Sequence, residues 1–453
     1  MSPDLDVAVV GGGIAGLSVA YALQLAGRSV QVFEAADGVG GRMRTLRHDG
    51  YLIDTGAELV PMVGNPATWK LIRELGLGAA EVPRITTSVA VWRGGRAHHN
   101  VGRPLGFVTG AGLSWRGRRD LLRFIAWAGR RRHAFDPDCP ERTPLGDATV
   151  AQLGDRFGHE LHDYLFQPIV GGFFSWHTDR SAAAPFVSQL LVSGSSAGWR
   201  TYRDGMDTLA RRLAERVEVT TGFRVREVVS APGSGRIVSD SASLSARSVV
   251  LCVPAPLARD LHANAPPDEH RYLEACTYAP VLRVSCALDR PLAPPAARPV
   301  YTLILPAVED PVVSVIMVDH LKHPGRAPSG RGLVTLLTCP LTTRELIDAP
   351  DEEVVRRLTT QAERYLPGLR QATVANFVHR YRHGLPEATP AAVGLRSEFL
   401  RRPLRAVDYA GDWVMLRPAS EGAVRSADLA AWRVMAHPDH AARNATGAFH
   451  GRT

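Results

Sequence analysis

The run Asp6-Val7-Ala8-Val9-Val10-Gly11-Gly12-Gly13-Ile14-Ala15-Gly16-Leu17 joins a short apolar stretch to a glycine turn and then to a helical pattern. Val7 to Val10 have the composition of a strand buried on both faces of a parallel sheet, and Ile14 to Leu25 carry apolar residues at helical spacing. Strand, turn and helix in this order give the G-x-G-x-x-G pattern its usual context. Gly11 makes the tight turn, Gly13 lets backbone approach a pyrophosphate, and Gly16 lets the helix pack closely on the strand. The unpaired N–H groups of the helix start, at Ile14 and Ala15, then face phosphate.

A second parallel strand is expected over Ser29 to Glu34, which leaves the Glu34 carboxylate near the hydroxyls of an adenosine ribose. A carboxylate there repels a 2′-phosphate, so NADP is disfavoured and NAD and FAD remain. Gly40 and Gly41 permit a second segment of backbone to come close, and Arg42 offers a fixed fork of donors to pyrophosphate oxygens.

Glu34, five residues, then Gly40-Gly41-Arg42, followed by Asp54-Thr55-Gly56-Ala57-Glu58, resembles the FAD-binding opening of the flavin amine oxidase superfamily. That superfamily holds monoamine and polyamine oxidases, protoporphyrinogen oxidases and phytoene desaturases, and the pattern here is closest to the last two. The resemblance implies a Rossmann-like α/β FAD-binding domain, discontinuous in sequence, with a second domain of helices on a mixed sheet. It implies cofactor contacts at Ala35, Gly56, Ala57 and Glu58 beside those already named. It also turns the backbone of Val225 toward adenine; by side chain alone Val225 reads as strand core.

Near the C-terminus, Ala410-Gly411-Asp412 is similar to the family turn that meets the pyrophosphate or ribityl chain. Gly422, Ala423 and Val424 fall at the start of the helix that faces the flavin pyrimidine, where N–H groups stabilise negative charge. Ala427 stands where family members usually carry glycine. On this reading residues 1–82, 203–262 and 404–437 form the FAD-binding domain, 83–202 and 263–403 the substrate-binding domain, and 438–453 a flexible tail. A helix is expected to start within Tyr202–Leu209.

Composition restricts the alternatives. An apolar content of 45% in 453 residues is ordinary for a globular protein of two or three domains. The net charge is +8, with arginines grouped at 116–119, 130–132 and 401–402. No aromatic-interleaved basic motif accompanies them, so solvated helix faces or a basic entrance for an acidic substrate are expected, and no nucleic acid. The five widely spaced cysteines fit reduced thiols, and neither a C-x-x-C pair nor a metal site is visible. The first strand begins by about residue 5, with no apolar signal segment, so a cytoplasmic protein is expected and the Asn444 sequon is incidental. Arg119 to Arg130 form an amphipathic basic helix, expected to cover the substrate tunnel first and to lie on a membrane surface second.

Flavin carries the hard step, so few side chains need be catalytic. In monoamine and polyamine oxidases a lysine stands near flavin N5, and in this sequence the matching strand, Val281 to Leu288, has Arg283 there. Arginine cannot accept a proton at neutral pH; it binds a carboxylate or, as expected first, points outward from its strand. His98, His99, His177 and His383 have no located partner, and Phe173, Phe174 and Trp176 read as core before they read as pocket. The closing segment holds no cysteine for covalent attachment, so FAD is expected to be non-covalent.

The expected function is an FAD-dependent oxidase or desaturase acting on a bulky hydrophobic or aromatic small molecule, with O2 as electron acceptor. The missing aromatic cage around Tyr381 to Pro386 weighs against amines. Alternatives are an amine oxidase, a non-oxidative isomerase or cyclase on the same fold, and an NAD-binding protein.

Overall fold

A computed structural model describes residues 3–99, 101–109, 112–193 and 195–437. The expected tail over 438–453, with Asn444, lies outside the described residues. The chain builds two seven-stranded sheets. In the first, Leu5–Val10 is the central strand. It pairs in parallel with Val30–Phe33 on one side and with Ser243–Leu251 on the other, and Val30–Phe33 pairs in turn with Glu218–Thr220. A short strand, Val407–Tyr409, adds in parallel to Ser243–Leu251, while Val225–Ala231 and Ser234–Ser239 extend the sheet as an antiparallel meander.

Residues far apart in sequence therefore meet at one sheet edge. Val7, Val9 and Val32 are fully buried, as both-face burial in a parallel sheet requires. The helix Ile14–Leu25 packs on Ser420–Ala436 through Leu17, Val19, Ala20 and Leu23 against Ala423, Ala427, Ala430 and Val434. Ala427 is fully buried in this seam, so its methyl group is accommodated where the family usually has glycine.

The helix expected to start within Tyr202–Leu209 begins at Thr208, near the end of that stretch. Gly205 adopts φ +106° and packs against Thr45, and that left-handed residue cannot belong to a right-handed helix. Among the grouped arginines, Arg116, Arg119, Arg123 and Arg130 to Arg132 are exposed as expected, but Arg402 is buried. Its guanidinium is ion-paired with Asp408 and lies 4.0 Å from the Phe399 ring centroid.

The second sheet runs in the order Thr373–Pro386, Tyr278–Leu288, Gly332–Thr338, Val313–Val318, Val300–Ile304, Ser88–Arg93 and Arg96–His98. Its pairs are antiparallel except Ser88–Arg93 with Val300–Ile304. Asp351–Ala362 and Pro340–Leu346 pack on it through Val354, Leu358, Ala362 and Leu346, and Gln167–Phe174 meets Val313–Val318; beside them lie Trp115–Arg130, Val150–Phe157 and Ala183–Val192. Between Val150–Phe157 and Gln167–Phe174 the chain forms a π-helical turn, His162–Phe166. Phe124, Phe157, Phe166 and Phe186 meet edge to face with centroids 5.1–5.4 Å apart, which ties three helices and the π turn together. Phe166 is fully buried, so Phe166→Ala is expected to lower the unfolding free energy by about 3–5 kcal/mol in a denaturant titration. A loss under about 1 kcal/mol would mean this aromatic cluster is not a packed core.

Candidate functional site

The site begins where two glycine turns lie side by side. Gly13 forms a parallel bridge with Gly40, and the Gly40 N–H donates to the Gly12 carbonyl at 2.9 Å. Gly40 and Gly41 have φ of +107° and +52°, so the second turn needs glycine for its backbone. The glycines of the first turn divide by role. A Cβ on Gly11 would come within 2.7 Å of the Cys252 carbonyl oxygen, and one on Gly16 would overlap the Gly11 carbonyl; both are packing glycines. A Cβ on Gly13 would meet no heavy atom within 4 Å, and Gly13 lines a cavity. The protein leaves room at Gly13 that no protein atom fills.

This cavity has a volume of about 1400 Å³. Single-ligand pockets run to roughly 1,000 Å³, so it is large enough for more than one small molecule. One part is walled by Gly11, Gly13, Ile14, Ala15, Glu34, Ala35, Gly40, Gly41, Arg42, Val225, Gly411, Asp412 and Ala423. The other is walled by the second sheet through Val89, Val91, Val281, Ile304, Met317 and Leu337, and by helices through Leu121, Phe124, Tyr164, Ile169 and Phe173. Gly56, Ala57, Glu58 and Arg283 also line it. Gly16, Gly422 and Val424 do not appear in the wall. Gly16 packs inside the turn, and a Cβ on Gly422 would overlap the Arg417 carbonyl, so its glycine serves close packing.

Several of the expected contact groups are held by partners within the protein. Glu34 is held rigidly, accepting from the Gly12 N–H at 2.6 Å and the Ala36 N–H at 2.8 Å. Arg42, expected to offer its fork to pyrophosphate, stands in the cavity wall and donates to Asp412 in two bonds of 2.8 Å and to the Gly384 carbonyl in a third. Asp412 is a fixed anion within reach, and a bidentate carboxylate suits guanidinium geometry. Burial opposes the charge on Arg42, and Asp412 more than offsets it, holding the guanidinium above its ordinary pKa. The Ala423 N–H, expected to face the cofactor, donates to the Ala419 carbonyl because the helix already starts at Ser420.

Arg283 was expected to point outward. It is 1% exposed, donates to the Gly56 carbonyl at 2.6 Å, and is ion-paired with Glu58. A carboxylate across the seam compensates its burial, which an outward orientation would not need. Beside it on the paired strand, His379 is pushed down to about 3 by burial and by the Arg283 charge, and stays neutral. Of the four candidate histidines only His383 borders the cavity; Phe173 and Phe174 border it too, while Trp176 is buried against Phe174.

Residues 14–435 match the family described as flavin-containing amine oxidoreductase. The chain belongs to that family. Coproporphyrinogen III oxidase of Propionibacterium freudenreichii is 27% identical over 426 residues, covering 81% of this chain and 79% of the relative. Protoporphyrinogen oxidase 2 of Arabidopsis thaliana is 32% identical over 169 residues, 37% of this chain and only 32% of the plant protein. Putrescine oxidase bound to putrescine superposes with a TM-score of 0.79 at 20% identity, covering 96% of this chain and 99% of its own. Cyclohexylamine oxidase from Brevibacterium oxydans superposes with a TM-score of 0.75 at 17% identity, covering 95% of this chain and 99% of its own. At these identities the superpositions show the fold, which is that of the flavin-dependent amine oxidases.

The residues present fit a flavin of this flavoenzyme family. Open space at Gly13, a fixed carboxylate at Glu34 and the Arg42–Asp412 pair stand along one wall. Sequence reasoning missed Asp54, Lys322 and Tyr381. Tyr381 meets Thr55 hydroxyl to hydroxyl at 2.7 Å, and the signal that would have found Lys322 is its rarity, since only Lys70 and Lys322 are lysines among 53 basic residues. Gly13→Val is expected to leave the melting temperature of the flavin-free protein unchanged and to weaken flavin binding at least tenfold. Gly16→Ala is expected to lower the melting temperature itself. Equal loss of stability in both variants would contradict the division of roles.

Proposed function

We propose that this flavoenzyme is an FAD-dependent oxidase or desaturase that removes two electrons, as a hydride, from a bulky hydrophobic or aromatic small molecule, with O2 as acceptor. The observation that carries this reading is the charge pattern of the cavity. Each carboxylate in its wall is already engaged: Glu34 by backbone N–H groups, Glu58 by Arg283 and Lys322, and Asp412 by Arg42. Arg103 and Arg224 also border it, as do Arg380 and Arg382, which are ion-paired with Asp351 and Asp348. Among the described residues a protonated amine would find no free anion, whereas a large apolar molecule with acidic edges would find apolar walls with Arg103 and Arg224 beside them. The relatives' names make a porphyrinogen the leading candidate.

Bound FAD supplies a two-electron acceptor whose chemistry is its own. Around it, Glu34 would take the ribose hydroxyls, the turns at Gly13 and Gly41 the pyrophosphate, and the backbone near Val225 the adenine. The resulting FAD-binding domain would comprise residues 1–82, 203–262 and 404–437, and the substrate domain 83–202 and 263–403. The apolar side chains of the second sheet would position the substrate and exclude water. Attachment would be non-covalent: Cys252, the cysteine in the cavity wall, has its thiol pushed upward by burial and stays protonated.

The helix Trp115–Arg130 supports covering of the substrate space, since Leu121, Phe124 and Ala128 border the cavity. Its other side carries exposed Trp115, 83% accessible, and Leu122, 59%, among arginines, and this favours contact with an anionic lipid surface. No helix among the described residues is long and apolar enough to cross a membrane. Flotation with vesicles containing anionic lipid is expected to carry wild-type protein and to lose it on Trp115→Glu. Wild-type protein left entirely below the lipid fraction would remove this contact.

Anaerobic mixing of the yellow protein with coproporphyrinogen III, a polyene precursor, a polyamine and an aromatic amine tests the main reading. Bleaching of the flavin by the porphyrinogen, with O2 consumed on aeration, is expected. Bleaching by the polyamine alone would assign an amine oxidase instead, and turnover without O2 uptake would assign a non-oxidative reaction.

A further inference from the structure

In a chain that writes almost every cation as arginine, the fully buried Lys322 is an exception with a geometric reason. Its ammonium reaches three carboxylates: Asp54 at 2.9 Å, Glu58 at 2.6 Å and Asp319 at 3.1 Å. A compact ammonium with three donors suits three separate anions, whereas a planar guanidinium fork pairs best with one. The other lysine, Lys70, lies on the surface 3.7 Å from Glu74.

Lys322 and Arg283 divide Glu58 between them. One carboxylate oxygen takes Lys322 and the other takes Arg283, which also bonds the Gly56 carbonyl. Gly56 is pressed against the backbone of Arg42, and the Ala57 N–H donates to the Arg42 carbonyl at 2.9 Å. The cluster therefore connects the second sheet to the segment that carries the glycine turns. With Arg326, 3.1 Å from Asp54, it holds three cations and three carboxylates, so its formal charges cancel. Arg283 and Glu58 form its cavity end; Lys322, Asp54, Asp319 and Arg326 lie behind.

We propose that Lys322 is a positioning residue that keeps Glu58 ionised and so holds the Arg283 cation in place in the cavity wall, and that the neutral cluster it centres sets the reduction potential of the flavin. This inference rests on the flavin site proposed above. Two-electron reduction brings negative charge into the cavity, and a buried charge cluster acts on it with little screening. Removing the Lys322 charge leaves the cluster at −1 and makes reduction harder.

The pH dependence has a definite sign. Glu58 faces Arg283, Lys322, Asp319 and Asp54, with Tyr301, His379 and Tyr381 around the same charges. Burial already raises the Glu58 pKa against the pull of Arg283 and Lys322, while Asp54, with burial offset by both Lys322 and Arg326, stays low. Without Lys322, Glu58 is the group that takes up a proton first. Acid restores neutrality; alkali leaves the deficit.

The test is dye equilibration of flavin-loaded wild type, K322Q and E58Q from mildly acidic to mildly alkaline pH, with K70Q as the surface control. At alkaline pH, K322Q is expected to show at least a tenfold lower ratio of reduced to oxidised flavin at fixed potential, about 30 mV for a two-electron couple. The difference from wild type should close on acidification. E58Q should shift in the opposite sense, and it carries the test if K322Q fails to fold. Unshifted potentials in flavin-loaded variants, or a K322Q shift independent of pH, would overturn this inference alone. Wild-type protein that takes up no flavin would overturn the functional reading and the inference with it.

Discussion

The close contact of two glycine turns positions everything else at the site. The turn after the central strand and the turn at Gly40–Gly41 are joined backbone to backbone, and neither could approach the other with side chains in the way. From this seam Glu34 is held by backbone donors, Arg42 is directed to Asp412 near the other end of the chain, and Gly56 is brought under Arg283. The parallel pairing of Leu5–Val10 with Ser243–Leu251, and of that strand with Val407–Tyr409, carries the distant segments to the same edge. A cavity at such an edge, outside the carboxyl ends of parallel strands, is where open α/β sheets place their ligands.

The second constraint is electrostatic. A large cavity with apolar walls can hold charged groups only if they are paired, and the structure pairs them across element boundaries. Arg42 with Asp412 joins the two ends of the first sheet's sequence, and Arg283, Glu58 and Lys322 join the first sheet's segments to the second sheet. Each pair ties a turn to a distant element, and among the described residues it leaves no free carboxylate in the wall. The selectivity against cationic substrates proposed above would come from the same contacts that fix the site.

Much of the first sheet was legible in the sequence because local signals carry it. Val7 to Val10, the glycine spacing and the apolar period of Ile14 to Leu25 each constrain a short stretch, and each is realised within a residue or so. Gly13 and Glu34 were readable for the same reason. The side-chain partners were not, because they are set by strands that meet only in three dimensions. Arg283 alternates with apolar neighbours on an ordinary strand, and nothing local distinguishes an outward arginine from one facing Glu58, 225 residues away. The pairing of Arg42 depends on Asp412, 370 residues away. The stretch Tyr202–Leu209 showed that a helix starts there, but not that it waits until Thr208, because the left-handed turn at Gly205 is set by packing on Thr45.

The central claim is that separated segments jointly grip both halves of a dinucleotide, with Glu34 and the backbone near Val225 on the adenosine side. Calorimetric titration of flavin-free protein with FAD and, separately, with FMN tests it most directly. The account predicts one FAD per chain and binding of FMN weaker by at least tenfold, about 1.4 kcal/mol or more, because FMN lacks the adenosine those residues hold. Equal affinity for the two, or no uptake of either, would contradict it.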